Sequence, residues 1–497
     1  MRPCLRSLFL ALFLVLLTVP AVRGAEFAWL VVDRLPQALP SDGTGLLIVG
    51  QEPATAIATV AGDLVSLLEV EADGALLAQG TFLAGGPLSA VAVGDVDQDG
   101  RWELVTARGE EGAVSVDRWV QGQRLPVGMP RYAWTPVKAL QLVATRSGKM
   151  IVAAGQGGGL ISYLVSGRGL EPAGVSEPKQ RFELYGAADL DGDGQDELVA
   201  GAGRSEVAVF RWTPGAGWTR WWQNFPWGGT VGAAVGDLEG DGRPELVVAS
   251  GERLLYVFGA DAEGTGLTLR HQSSTALPAG ALGVVYVPPV GKATGEGGGL
   301  PARVAVYRAD EVRLLSFSEK MEALVATVAM PGEVQEIRPL AAAEGAPADV
   351  WPRLLLRRPD GTLETVAAAR GNRLRLEWLF PDGRGVPAGT PLVQGGKLYV
   401  SMREVASQLG VVIRWDDERR LAEAIQEPGE RVVELIPGQA PRVDGRDLPE
   451  AGRVVVDGGK MFLEARAVER LFSTGQAGRP RLMVVAGTRQ LPVSFLW

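Results

Sequence analysis

A short acidic segment recurs in phase along this chain: DVDQDGRWEL from Asp95, DLDGDGQDEL from Asp189 and DLEGDGRPEL from Asp237. Each copy sets carboxylates at loop positions 1, 3, 5 and 9 and a glycine at position 6, where the backbone must turn sharply. Such a loop wraps oxygen donors around a hard divalent cation, and calcium (Ca2+) is the expected occupant. Without a cation, neighbouring carboxylates at ~4 to 5 Å repel by about 3 to 4 kcal/mol per close pair at an effective dielectric near 20. The alternative reading is a solvated acidic turn that holds no metal.

The spacing carries as much information as the content. Asp189 and Asp237 lie 48 residues apart, and Asp95 and Asp189 lie 94 apart, close to two such periods. The missing copy is LVATRSGKMIVAAG, Leu142 to Gly155, which aligns without gaps on Gly94 to Ala107 and has Val143, Thr145, Ser147 and Ile151 at the four carboxylate positions. Gly148 keeps the turn. A period in the forties marks a stacked or circular repeat architecture.

The segments around each acidic loop are short, apolar and β-rich: AVAV before the first, and ELVTA, ELVAG and ELVVAS after the three in turn. These are strand signals. An EF-hand is excluded, because it needs flanking helices and a bidentate glutamate at position 12, where this chain has Thr106, Ala200 and Val248. Weaker copies begin near Gly45, Leu282 and Glu336. The expected fold is therefore mainly β: a seven-bladed β-propeller over residues 25–385, with the strand-like Trp29 to Val32 closing the last blade. An open solenoid is the competing architecture.

Pro381 to Pro391 reads as a Pro/Gly-rich linker, and the pattern beyond it changes to mixed α and β. Ser401 and Glu404 form a capping box, Met402, Val405, Ala406 and Leu409 share one helical face, and Gly410 ends the helix. GGKLYVSMREVA from Gly395 recurs as GGKMFLEARAVE from Gly458, so residues 390–497 are read as a small α/β domain of two related strand-helix units.

The N-terminus has the layout of a secretory signal: Arg2 and Arg6, an apolar run of 12 residues from Leu8 to Val19, and small residues before Ala25. The expectation is a signal peptide over residues 1–24 and a secreted or cell-surface protein without a stable membrane span after cleavage, since 12 residues are too few to cross a bilayer. Cys4 is the one cysteine, so the mature chain has no disulfide, and bound calcium would supply rigidity instead. Cleavage removes three arginines and takes the net charge from -9 to -12, with the acidity concentrated in the repeats. No basic stripe for nucleic acid is present.

The acidic repeats resemble the FG-GAP or VCBS-type repeats of integrin-like β-propellers, in which a DxDxDG loop between two strands of a blade holds calcium. The resemblance implies side-chain ligands Asp95, Asp97, Asp99 and Glu103 in the first loop, Asp189, Asp191, Asp193 and Glu197 in the second, and Asp237, Glu239, Asp241 and Glu245 in the third. It implies carbonyl ligands from Arg101, Gln195 and Arg243. Glu239 departs from the usual Asp or Asn. The segment from Gly395 to Asp416, with its partial repeat from Asp457 to Phe472, resembles the copper amine oxidase N-terminal-like domain of exported bacterial proteins. Both copies lack the family's proline before Arg403 and Arg466.

His271 is the only histidine. That excludes His-ligated copper or zinc, and leaves any Ser-His-Asp relay dependent on one residue, read here as a surface or turn histidine. Trp212, Trp218, Trp221, Trp222 and Trp227 either fill wedges between blades or, for Trp218 and Trp227 in particular, line a sugar-binding surface. The expectation is a non-enzymatic binding, adhesion or scaffolding protein whose partner is a cell-envelope protein or glycan. The alternative is a polysaccharide-active lyase or hydrolase using carboxylates on a propeller face.

Overall fold

The computed structural model describes residues 27–492 with interruptions, the longest at 289–301, 341–351 and 473–479. The expected signal segment and nearly all of the Gly-rich insertion 288–301 lie outside the described residues. Within them, the repeats form a succession of antiparallel sheets, all but the last built wholly from strands adjacent in sequence. Sheet 1 comprises Leu46–Val49, Ala56–Ala61, Leu64–Val70 and Leu76–Leu83; sheet 2 begins with Leu88–Gly94, Glu103–Arg108 and Ala113–Val120. Sheet 3 is Val137–Thr145, Gly148–Gly155, Leu160–Ser166 and Gly169–Val175; sheet 4 is Phe182–Ala188, Glu197–Ala202, Glu206–Thr213 and Gly217–Asn224. Sheet 5 is Thr230–Gly236, Glu245–Ser250, Leu255–Ala260 and Leu267–Gln272. Sheet 6 runs from Gly283–Val287 to Met321–Ala329, and sheet 7 holds Glu336–Pro339, Pro352–Arg357 and Leu363–Arg370.

The packing explains why the second strand of each sheet reads as a continuous apolar run rather than an alternating one. A strand buried on both faces needs apolar side chains at every position. Leu104 packs into the core shared with sheet 1, while its neighbour Val105 packs into the core shared with sheet 3. Leu198 and Val199 divide in the same way between sheets 3 and 5, and Leu246 and Val247 between sheets 4 and 6. Ala305 and Leu314 of sheet 6 meet Leu354 and Leu356 of sheet 7. Leu355 and Leu363 of sheet 7 in turn meet Ile57 and Leu68 of sheet 1. The chain of cores returns to its start, which makes the array a closed β-propeller rather than an open solenoid.

Closure is made by the backbone as well. Phe27–Leu35 joins sheet 7 as its outermost strand, antiparallel to Leu363–Arg370, with Phe27 opposite Arg370 and Leu35 opposite Leu363. The strand expected at Trp29 to Val32 therefore takes the role assigned to it.

One boundary is corrected. Leu374–Leu379 pairs with Arg481–Ala486 on one side and Gly385–Pro387 on the other, and Trp378 is buried in the C-terminal core. Residues 380–384 are the turn of that hairpin, closed by Phe380 N–H to the Arg384 carbonyl (3.0 Å). Proline and glycine mark a turn equally well inside a domain and between domains, so composition could not distinguish them. Beyond the hairpin, Lys397–Ser401 and Lys460–Glu464, the two copies of the internal repeat, pair antiparallel with Val400 opposite its own counterpart Leu463. Each copy leads directly into a helix, Met402–Leu409 or Ala465–Phe472. Ser401 caps the first, accepting from Arg403 N–H at 3.3 Å, and Gly410 closes it in the left-handed region with φ of 64°. Met402, Val405 and Leu409 are buried as their spacing requires.

A chain truncated to begin after Leu35 is expected to unfold at a lower urea midpoint than the full chain and to self-associate, because it leaves the Leu363–Arg370 edge unpaired. Equilibrium unfolding with light scattering checks this. An unchanged midpoint would mean that the ring does not depend on this strand.

Candidate metal centre

The three acidic loops occupy one structural position, between the first and second strands of sheets 2, 4 and 5. In each, the acid at position 1 accepts hydrogen bonds from the loop's own backbone. Asp95 takes the amides of Asp99 (3.1 Å) and Gly100 (2.9 Å). Asp189 takes Gly192 (2.8 Å) and Gly194 (2.9 Å), and Asp237 takes Gly240 (2.6 Å), Asp241 (3.2 Å) and Gly242 (2.9 Å). The acid at position 5 accepts from the residue two further on: Asp99 from Arg101, Asp193 from Gln195 and Asp241 from Arg243, at 2.9, 2.8 and 2.8 Å. Gly100, Gly194 and Gly242 take φ values of 83°, 85° and 86°, a region that side chains disfavour.

The position 9 glutamates are the deepest groups. Glu103, Glu197 and Glu245 are 0%, 2% and 6% exposed, and each directs Oε2 to the amide of loop position 2: Val96 at 3.0 Å, Leu190 at 2.9 Å and Leu238 at 2.8 Å. Burial pushes all three carboxyls above the usual range, Glu197 to about 8 and Glu245 to about 7, and neighbouring loop acids add to the rise. A bound cation would favour the ionised carboxylate and oppose this rise.

The carboxylates converge unequally. Oxygens of Asp95, Asp97 and Asp99 lie within 4.8 Å of one another, as do those of Asp189, Asp191 and Glu197. Among the described residues the third loop forms no such group. All donors are oxygen, and Asp97 Oδ1 is buried without a hydrogen-bond partner. Both facts fit a hard cation with several oxygen ligands. The side chains of Arg101, Gln195 and Arg243 play no part in that fit, since only their carbonyls were implied.

Two arginines that sequence reading did not single out reach into the loops. Arg118 contacts Asp97, Asp99 (3.2 Å) and Glu103 (3.2 Å); Arg211 contacts Asp191 and Glu197 (3.4 Å) and stacks on Trp221 at 3.8 Å from its ring centre. Both stand on the third strand of their sheet, opposite the buried glutamate. The available signal was the strand register, which sequence alone left unset.

The degenerate copy shows what the acids do to the backbone. With Val143, Thr145 and Ser147 in place of carboxylates, the hairpin continues its ladder through Val143 to Met150, Ala144 to Lys149 and Thr145 to Gly148. Its tip then braces the second acidic loop: Ala144 N–H donates to Asp196 (2.7 Å), and Arg146 reaches Asp193 (3.3 Å).

Elsewhere, His271 lies in the strand Leu267–Gln272 rather than in a turn, with its ring edge-on to Phe317 at 5.3 Å. Trp218 is buried and donates Nε1–H to Ser162 Oγ (2.7 Å), which makes it packing between sheets. Trp227 is 74% exposed.

The FG-GAP-like repeat family matches residues 189–248, the span of the second and third loops, and the copper amine oxidase N-terminal domain matches residues 382–474. The chain thus carries both modules. No curated protein matches it significantly. Similar solved structures include Sqt1 of Saccharomyces cerevisiae, at 11% identity over 69% of this chain and 99% of that one with a TM-score of 0.45. The periplasmic gluconolactonase PpgL of Pseudomonas aeruginosa is 15% identical over 60% and 88%, with a TM-score of 0.40. The Cps50 (Swd1) β-propeller domain of Myceliophteria thermophila is 14% identical over 64% and 95%, with a TM-score of 0.43.

Asp189→Ala is expected to lower stability in chelator by about 1 to 2 kcal/mol, because two loop amides lose their acceptor, while Asp189→Asn, which keeps one oxygen, loses less. Urea denaturation of the two variants in chelator checks the order.

Proposed function

We propose that this protein is an exported, calcium-stabilised, seven-bladed propeller that binds a cell-envelope protein or glycan without transforming it. A propeller carrying an FG-GAP-like repeat fits a binding or scaffolding role, and the N-terminal Arg2, Arg6 and apolar run support export. No helix among the described residues is long and apolar enough to cross a membrane. Asp95, Asp97, Asp99 and Glu103, with their counterparts in the second loop, would hold calcium, and the third loop would supply Asp237, Glu239, Asp241 and Glu245. The ion would neutralise repelling carboxylates and lock the first hairpin of each sheet, a structural role.

The observation that carries the binding role is the pair of exposed tryptophans on the face opposite the metal loops. In an antiparallel four-stranded sheet, the loop between strands one and two and the connector to the next sheet leave from opposite ends. Trp134 lies on the connector from sheet 2 to sheet 3, and Trp227 on the connector from sheet 4 to sheet 5; they are 79% and 74% exposed. Trp134 also holds a left-handed backbone, φ 58°, fixed by its amide on the Glu111 carbonyl (2.9 Å). A strained backbone at a displayed aromatic supports a role for that side chain in contact. Phe225, 60% exposed, stands two residues from Trp227.

Two measurements test this reading. The melting temperature is expected to fall when calcium is replaced by chelator, with about 1.4 kcal/mol of stabilisation per site at ten times its dissociation constant. An unchanged temperature would remove the calcium role. Trp134→Ala with Trp227→Ala is expected to reduce retention of the protein on purified cell envelope at least about tenfold, since displayed tryptophans act as binding hot spots. Full retention would place the binding face elsewhere.

A further inference from the structure

The three acidic loops share a sequence pattern but differ in what stands across from their buried glutamate. On the third strand, Glu103 faces Arg118. In sheet 4 the register Leu198 to Phe210 places Arg211 opposite Glu197. In sheet 5 the register Leu246 to Phe258 places Gly259 opposite Glu245. In the degenerate copy, where Ile151 replaces the glutamate, Tyr163 stands at that position. An arginine thus stands opposite the glutamate in two of the three acidic loops, and a glycine in the third.

Its presence tracks the geometry of the carboxylates. The two loops with arginine are the two whose acid oxygens converge within 4.8 Å. Among the described residues, Asp237, Glu239, Asp241 and Glu245 form no ion pair. The third loop is held from outside instead, by the Tyr286 hydroxyl donating to the Asp237 carbonyl (3.0 Å). Arg211 is braced beyond the loop's own acids, by Trp221 and by the Gly264 carbonyl (3.2 Å), whereas Arg118 contacts three carboxylates of its loop at once.

From this we infer that Arg118 and Arg211 are positioning residues that stabilise the first two loops without metal, while the third loop, whose acids pair with no arginine among the described residues, depends on a bound cation for comparable stability. The inference rests on the calcium reading above and divides its sites by role. Two are permanent fixtures of the ring. The third is the one whose order follows the calcium concentration, and it sits at the junction of sheets 5 and 6, where Tyr286 of sheet 6 reads its position. A fixed positive charge amid like-charged carboxylates relieves the same repulsion that a calcium ion relieves, so a loop that has one needs the ion less.

Hydrogen exchange of the full-length protein, in chelator and in saturating calcium, tests the division. Amides Gly240 to Arg243 are expected to gain at least about tenfold in protection with calcium, and Asp99 to Arg101 and Gly192 to Gln195 less than about threefold. Arg211→Met keeps an unbranched apolar stem and removes the guanidinium and its charge; it should make the second loop respond like the third. Gly259→Arg should make the third loop respond like the second, because an added Cβ there meets only the flexible Arg270 side chain (2.9 Å). The reciprocal variant keeps the test open if Arg211→Met folds poorly. Equal responses in all three wild-type loops, or an unaltered second loop in Arg211→Met, would overturn the inference. Calcium titration calorimetry separates this from failure of the calcium reading: absence of binding heat removes both, whereas three ions bound with uniform exchange responses remove only the division of roles.

Discussion

The interaction on which the rest depends is the bond from the buried position 9 glutamate to the amide of loop position 2. Val96, Leu190 and Leu238 donate to it at 3.0, 2.9 and 2.8 Å, from a carboxylate almost without solvent contact. That bond ties the start of each loop to the second strand, which is the strand packed between two neighbouring sheets. A buried acid with a single backbone donor is costly unless it is partnered. The loop chemistry and the packing of the ring are therefore one problem, because the same residue that closes the acidic loop begins the strand that fills the core.

Partnering is solved in different ways around the ring. Arginine serves Glu103 and Glu197, and among the described residues none pairs with Glu245, while the degenerate copy abolishes the need by placing Ile151 there. Removal of the acids lets the backbone of sheet 3 zip into three further ladder pairs. The acidic loops are thus open hairpins, held open by carboxylates that outcompete the cross-strand ladder for the backbone amides. The degenerate hairpin has gained a separate task, since its tip supports the loop of the following sheet through Asp196 and Asp193.

Much of the fold was legible in the chain. The in-phase loops, the apolar second strands and the strand at Phe27–Leu35 all lie where periodicity put them, and the helix at Met402–Leu409 begins and ends at its cap residues. Each of these signals is local or periodic. Less was legible where a signal has two meanings. Pro381 to Pro391 marks a hairpin inside the C-terminal domain, and Leu374–Leu379 belongs to that domain because it pairs with Arg481–Ala486, a partner about a hundred residues away. His271 was read as a surface or turn residue and lies half-buried in an edge strand against Phe317. Trp218 and Trp227, similar in sequence setting, part company: one fills a core and the other faces solvent.

The sequence by itself determined the loops, their carboxylates and the repeat that arranges them, because a turn glycine, a carboxylate spacing and a run of apolar strand residues act over a few neighbouring residues. Only the tertiary structure decided which loops carry an internal positive charge. Arg118 and Arg211 are 15 and 14 residues from the glutamates they meet, and nothing local distinguishes them from other arginines on a strand. Their contact is set by strand register, and register is fixed by which face of the strand the neighbouring sheets can bury.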